Sequence, residues 1–167
     1  MGRNIKTGAF IGGLIWAAVI LAITFSSVGY GEEPVREYYT NGQLKSEKFF
    51  KDGKLEGPVK EYYENGQVEK EGVFEGGEPE GPVKEYYKNG RVKFEGISEG
   101  GKLEGPSREY YENGQLKMEA VLKGGNPEGP LKMYYENGQL KSEAVFRNGK
   151  PDGPVKQYDE KGGLKRT

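Results

Sequence analysis

The chain contains no cysteine and no histidine among its 167 residues. The first absence excludes disulfides, thiolate metal sites and lipid attachment to an N-terminal cysteine. The second removes the commonest general base and the commonest metal ligand. Net charge is also nearly absent, at −1. Once Arg3 and Lys6 near the start are set aside, twenty-three basic residues face twenty-six acidic ones. A basic face for nucleic acid is therefore not expected. Hydrophobic residues make up only 34% and charged ones 31%, a balance that borders on disorder. An aromatic content of 12% argues for folding, because disordered segments are poor in aromatics.

What is abundant is glycine, with 28 residues, and it falls at fixed offsets. Tyr-Tyr doublets stand at Tyr38-Tyr39, Tyr62-Tyr63, Tyr86-Tyr87, Tyr110-Tyr111 and Tyr134-Tyr135, and Tyr158 keeps the beat alone. Each doublet is followed by Asn-Gly, from Asn41-Gly42 to Asn137-Gly138, and each later unit opens on Gly-Pro, from Gly57-Pro58 to Gly153-Pro154. The period is 24 residues throughout. A constant period of this size is the signature of a repeat architecture. A surface copied five times suits binding or scaffolding better than catalysis, which needs different groups converging at one point.

The one long apolar run, Gly8 to Phe25, lies near the start. Arg3 and Lys6 precede it, and small residues with Glu32-Glu33 follow. Residues 1–31 are read as a signal peptide or an N-terminal membrane anchor. Cleavage fits after Gly29 or Gly31, while a hydrophobic helix of this run is just short of the ~20 residues that span a bilayer. Both readings stand, and either places the repeats outside the cytoplasmic membrane. Residues 32–167 form the repeat domain, with units of about 33–56, 57–80, 81–104, 105–128 and 129–152 and a partial capping unit at 153–167.

Within a unit the pattern is strand, tight turn, strand, longer turn. Asn-Gly is the strongest short hairpin signal, and a type I′ turn with positive φ at both residues is expected there. Counting outward from Asn137-Gly138 sets Glu136 opposite Gln139, Tyr135 opposite Leu140, Tyr134 opposite Lys141 and Met133 opposite Ser142. One face then carries Leu131, Tyr135, Leu140, Ala144 and Phe146, and is expected to be the more buried. The other carries Tyr134, Lys141, Glu143 and Val145. Lys48, Gly72, Gly96, Ala120 and Ala144 share one position, mostly small, which leaves room for a neighbouring ring to cross the strand. The expected fold is all-β: an elongated single-layer antiparallel meander of 24-residue units, with an N-terminal hydrophobic helix. The last unit reads as a polar cap, with Asp159 replacing the second Tyr and Lys161-Gly162 replacing Asn-Gly.

The recurring strings YYTNGQLK, YYENGQVE, YYKNGRVK and YYENGQLK resemble the variant MORN repeat of bacterial proteins, many of them labelled YwqK-type antitoxins. The resemblance spans about residues 33–167. It implies a single-layered antiparallel sheet and a role in protein interaction. The antitoxin label would imply neutralising a partner toxin. The Gly-x-Tyr-x-Gly core of MORN repeats associated with lipid is absent, so lipid binding is not carried over.

For contact, the first Tyr of each doublet is the best candidate: Tyr38, Tyr62, Tyr86, Tyr110 and Tyr134, each an amphipathic ring among Lys and Glu. The second Tyr is expected to serve the sheet itself. Phe94 and Met118, at one usually polar position in adjacent units, are expected to extend an apolar patch. Glu47, Glu71, Glu95, Glu119 and Glu143 also share a position, and alternating Lys and Glu reads as a solvated surface rather than a paired-acid site. No catalytic residue, metal, cofactor or small-molecule substrate is expected. The expected partner is a protein, with the membrane added if the N-terminal segment is retained. The function expected is a non-enzymatic exported scaffold that binds through a flat aromatic and charged sheet face or a sheet edge; the alternative is an antitoxin or immunity protein.

Overall fold

The computed structural model describes residues 33–165, and the hydrophobic helix expected before them lies outside that range. The described chain forms thirteen β-strands. They are β1 (Val35–Tyr38), β2 (Leu44–Lys51), β3 (Lys54–Tyr62), β4 (Val68–Glu75), β5 (Glu78–Pro79), β6 (Gly81–Tyr86) and β7 (Val92–Glu99). The others are β8 (Lys102–Tyr110), β9 (Leu116–Lys123), β10 (Asn126–Tyr134), β11 (Leu140–Arg147), β12 (Lys150–Pro151) and β13 (Lys156–Gln157). All belong to one sheet in which sequence neighbours pair antiparallel, with β5 on β4 and β13 on β11 beside the main path. The all-β meander read from the period is the fold observed.

Two turn types alternate, and they differ from the expected placement. After each Tyr doublet the loop is a type I turn closed by a G1 bulge. Gly138 N donates to Tyr135 O at 2.9 Å and Tyr135 N donates to Gln139 O at 2.8 Å. Gly138 has φ +84°, but Asn137 does not enter the positive region. The reason is the Asn side chain: its Oδ1 accepts from Gln139 N at 2.9 Å, which holds the residue as an Asx turn at negative φ. Consequently Tyr134, not Tyr135, pairs with Leu140, and the bulge absorbs one residue before Met133 meets Ser142 as expected. Lys141, expected beside Tyr134, instead brings its ammonium to 5.6 Å from the Tyr135 ring. The two-residue turn with positive φ at both positions occurs at the opposite end of the units, at Asp52-Gly53 (+51°, +76°) and Asn148-Gly149 (+52°, +74°). Gly-Gly pairs fill it in the three middle units.

Beyond the bulge the face assignment holds. Leu131 pairs with Ala144 and Lys132 with Glu143. Val59, Ala120, Ser46, Ser98 and Ser107, all nearly inaccessible, lie on the face expected to be the more buried. At Gly96 the ring of Phe94 lies across the strand, with its Cζ 3.1 Å from where a Cβ would stand. At Gly72 the close neighbour is a methyl of Val83 at 3.4 Å rather than a ring.

Among the described residues only two apolar side chains, Val59 and Ala120, are buried. A single layer has no second layer to pack upon, and hydrophobic burial alone is a weak source of stability for it. The remainder comes from hydrogen bonds between units. Each second Tyr donates its hydroxyl to the carbonyl of the first Tyr of the next unit, as Tyr39 to Tyr62 O (2.6 Å) and Tyr135 to Tyr158 O (2.8 Å). Each turn Asn donates Nδ2 to the next turn, as Asn65 to Lys88 O (2.8 Å). At the other end a Glu before Gly-Pro accepts from a turn amide of the next unit: Glu56 from Gly76 N (2.8 Å) and Glu80 from Gly100 N (2.7 Å).

Candidate functional site

The first Tyr of each doublet lies on the less buried face, beside a row of alternating charge. Pairing across the strands places Glu47 opposite Lys60, Glu71 opposite Lys84, Glu95 opposite Arg108, Glu119 opposite Lys132 and Glu143 opposite Lys156. The Tyr hydroxyls reach back into this row. Tyr62 donates to Glu47 at 3.1 Å, Tyr86 to Glu71 at 2.5 Å, Tyr110 to Glu95 at 2.8 Å and Tyr134 to Glu119 at 2.8 Å. Tyr158 repeats the bond to Glu143 at 2.9 Å.

This arrangement keeps the phenols protonated. Partial burial, reinforced by the adjacent carboxylate, pushes Tyr62, Tyr110 and Tyr134 up to about 12, and Tyr86 is raised as well. Each hydroxyl is therefore a fixed donor at neutral pH, not a general base. Glu143 moves the other way: Lys156 at 3.0 Å and the Tyr158 hydroxyl hold it below the ordinary carboxylate range. The cations complete the row, with Arg36 to Glu47 at 2.8 Å and Arg108 to Glu95 at 3.6 Å. Exposed pairs of this kind contribute roughly 0–1 kcal/mol each.

Tyr62, Tyr86, Tyr110 and Tyr134 are thus half-buried, with their hydroxyls engaged inside the sheet. Tyr38 differs: it is 60% exposed at the edge. Phe94 and Met118 lie on the opposite face. Both pair with Glu109, on its two sides, and Met118 also pairs with Met133, which extends the row. The candidate residues therefore form two separate surfaces.

A third row escaped sequence reasoning. Beside the charged row, Pro58 pairs with Val73, Pro82 with Ile97, Pro106 with Val121 and Pro130 with Val145. Ile97 is 40% and Val145 51% exposed, and Pro82, Pro106 and Pro130 are exposed too. Proline is rare inside a sheet because it has no N–H to donate. Here it follows a glycine of positive φ (Gly57, +102°) where the pairing with the preceding strand slips, so its missing donor falls at an irregularity. The signal lies in the Gly-Pro spacing, which in the sequence marks only where each unit opens.

A family profile described as the MORN repeat variant matches residues 34–52, 55–75, 79–97, 103–123 and 127–148. The chain belongs to this family. Each match covers a hairpin closed by the Asn-Gly loop, so the MORN unit and the structural unit coincide from β1 to β11. No curated protein matches the chain. Among the described residues of this MORN repeat protein, no group of three or more acidic side chains is arranged to hold a metal ion.

Proposed function

We propose that this MORN repeat protein is an exported, non-enzymatic scaffold that binds a protein partner on the face carrying the Pro/Val/Ile row. The observation that carries this reading is the exposure of that row. Ile97, Val145 and three prolines recur at the same position of successive hairpins, beside a row in which Glu95, Glu119 and Glu143 are ion-paired with Arg108, Lys132 and Lys156. An apolar core with a satisfied polar border is the usual anatomy of a contact surface. Because the inter-unit bonds fix the face before a partner arrives, little ordering is lost on binding. Export is supported by the order of charge, apolar run and small residues in 1–31.

The test is cross-linking in intact cells followed by mass spectrometry, comparing the native protein with Ile97→Glu/Val145→Glu. The expected result is an extracytoplasmic protein with a specific cross-linked partner that the double variant loses while keeping its β-sheet spectrum. Repeats recovered in the cytosol would defeat the export reading. A partner equally retained by the double variant would defeat the choice of face.

A further inference from the structure

The sheet has a direction, and its first strand lacks what every later equivalent has. Strands matching β1 recur at β3, β6, β8, β10 and β13, and each lies against the return strand of the unit before it. That return strand always places a Glu opposite the cation of the pair and under the Tyr hydroxyl, as Glu71 does for Lys84 and Tyr86. For β1 the corresponding residue would be Ile23, in the apolar run, which has no carboxylate. Among the described residues nothing pairs with the outer side of β1. The consequence is visible in exposure: Val35 is 54% exposed, where its equivalent Val59 is 8%.

We propose that the outer edge of β1 is an acceptor for an acidic extended segment of a partner protein. The segment would add antiparallel, with a Glu opposite Arg36 accepting from the Tyr38 hydroxyl. Arg36 already binds Glu47 at 2.8 Å on its inner side, so the incoming carboxylate reproduces the flanked cation of the inner strands. Main-chain pairing provides the affinity of such strand addition, and the side chains provide its register. A second copy of this chain is a poor donor. Its inner return strands are already paired on both sides, and Thr167 stands where the repeat has Glu. This edge is separate from the Pro/Val/Ile row, so the two readings fail independently.

The probe is a synthetic peptide of Gln67–Glu75, the return strand of the second unit, added to the full-length protein. Saturable binding at one peptide per chain is expected, with slowed amide exchange at residues 35–38. Peptide Glu71→Gln, or protein Tyr38→Phe, should weaken binding about tenfold, the loss typical of a hydrogen bond to a charged group. Tyr158→Phe and Ile97→Glu should leave it unchanged. Absence of saturable binding, protection at residues 156–158 instead, or indifference to both Tyr38→Phe and the peptide substitution would overturn the proposal. Concentration-dependent self-association of the protein that Tyr38→Phe abolishes would overturn it in favour of a second copy.

Discussion

The two edges of the described sheet are built from the same repeat, yet one is closed and the other, among the described residues, is open. At the C-terminal edge the half-unit keeps the Tyr and turn groups that bond back to the preceding unit. Tyr158 O accepts from Tyr135, Glu160 O accepts from Asn137, and the Tyr158 hydroxyl reaches Glu143. What it loses are the two donors that would reach forward: Asp159 replaces the second Tyr and Lys161 replaces Asn. Asp159 then turns inward, accepting from Lys161 N at 2.9 Å and Gly163 N at 2.8 Å, and Lys165 N folds back to Gln157 O. The N-terminal edge has no such edit. Its Tyr38 and Arg36 are ordinary repeat residues without a preceding unit among the described residues. Termination in a repeat protein is thus a matter of which donors are deleted, and among the described residues only the C-terminal end carries that deletion.

Removing the closure should have the largest effect. Ending the chain after Asp152 strips the β10–β11 hairpin of four side-chain bonds, each contributing roughly 1 kcal/mol, and leaves the edge of β11 free to aggregate. The expected outcome is a marked fall in soluble yield and thermal midpoint. Next comes the same residue at two depths: Val59→Ala should cost about 1–2 kcal/mol in denaturant unfolding, whereas Val35→Ala should stay within about 0.5 kcal/mol. Equal costs would erase the distinction between edge and interior.

Restoring the deleted donors with Asp159→Tyr/Lys161→Asn should produce concentration-dependent association by sedimentation, which the native cap suppresses. The smallest effects concern pH. Glu143 is held below its ordinary range in the folded state, so its contribution is present above the unfolded value and is lost as pH falls through the lower, folded one. Amide exchange at residues 156–158 should therefore rise in mild acid, and Glu143→Gln should flatten that dependence. The inner Tyr rings shift upward, so their bonds persist below the ordinary phenol range and are lost only as pH rises towards about 12. Tyrosinate absorbance in an alkaline titration should show the inner rings ionising late.

Much of this was legible in the sequence because the period is strict. Five doublets in phase imply five hairpins, and alternation along Leu140–Phe146 is enough to separate the faces. The turn type was not legible from Asn-Gly alone. Two conformations compete there, and the choice depends on whether the Asn oxygen captures an amide two residues on, as Asn137 does with Gln139. The exposed row was hidden for a related reason. In the sequence Pro82 and Pro106 only mark where a unit opens, whereas the positive-φ glycine before each lets proline stand within the sheet at a slip in pairing. The partner of each first Tyr lies fifteen residues back, across a strand pair, where local patterning carries no information.

Because each junction between units uses the same bonds in the same sense, duplicating one unit creates no junction that the chain does not already contain. Inserting a second copy of residues 81–104 would add two strands, about 10 Å across the sheet, while both ends keep their own chemistry. The distance between the open end and the closed one is then a quantity that gene duplication can set in equal steps, and the protein can serve as a ruler whose graduations are its Tyr-Tyr pairs.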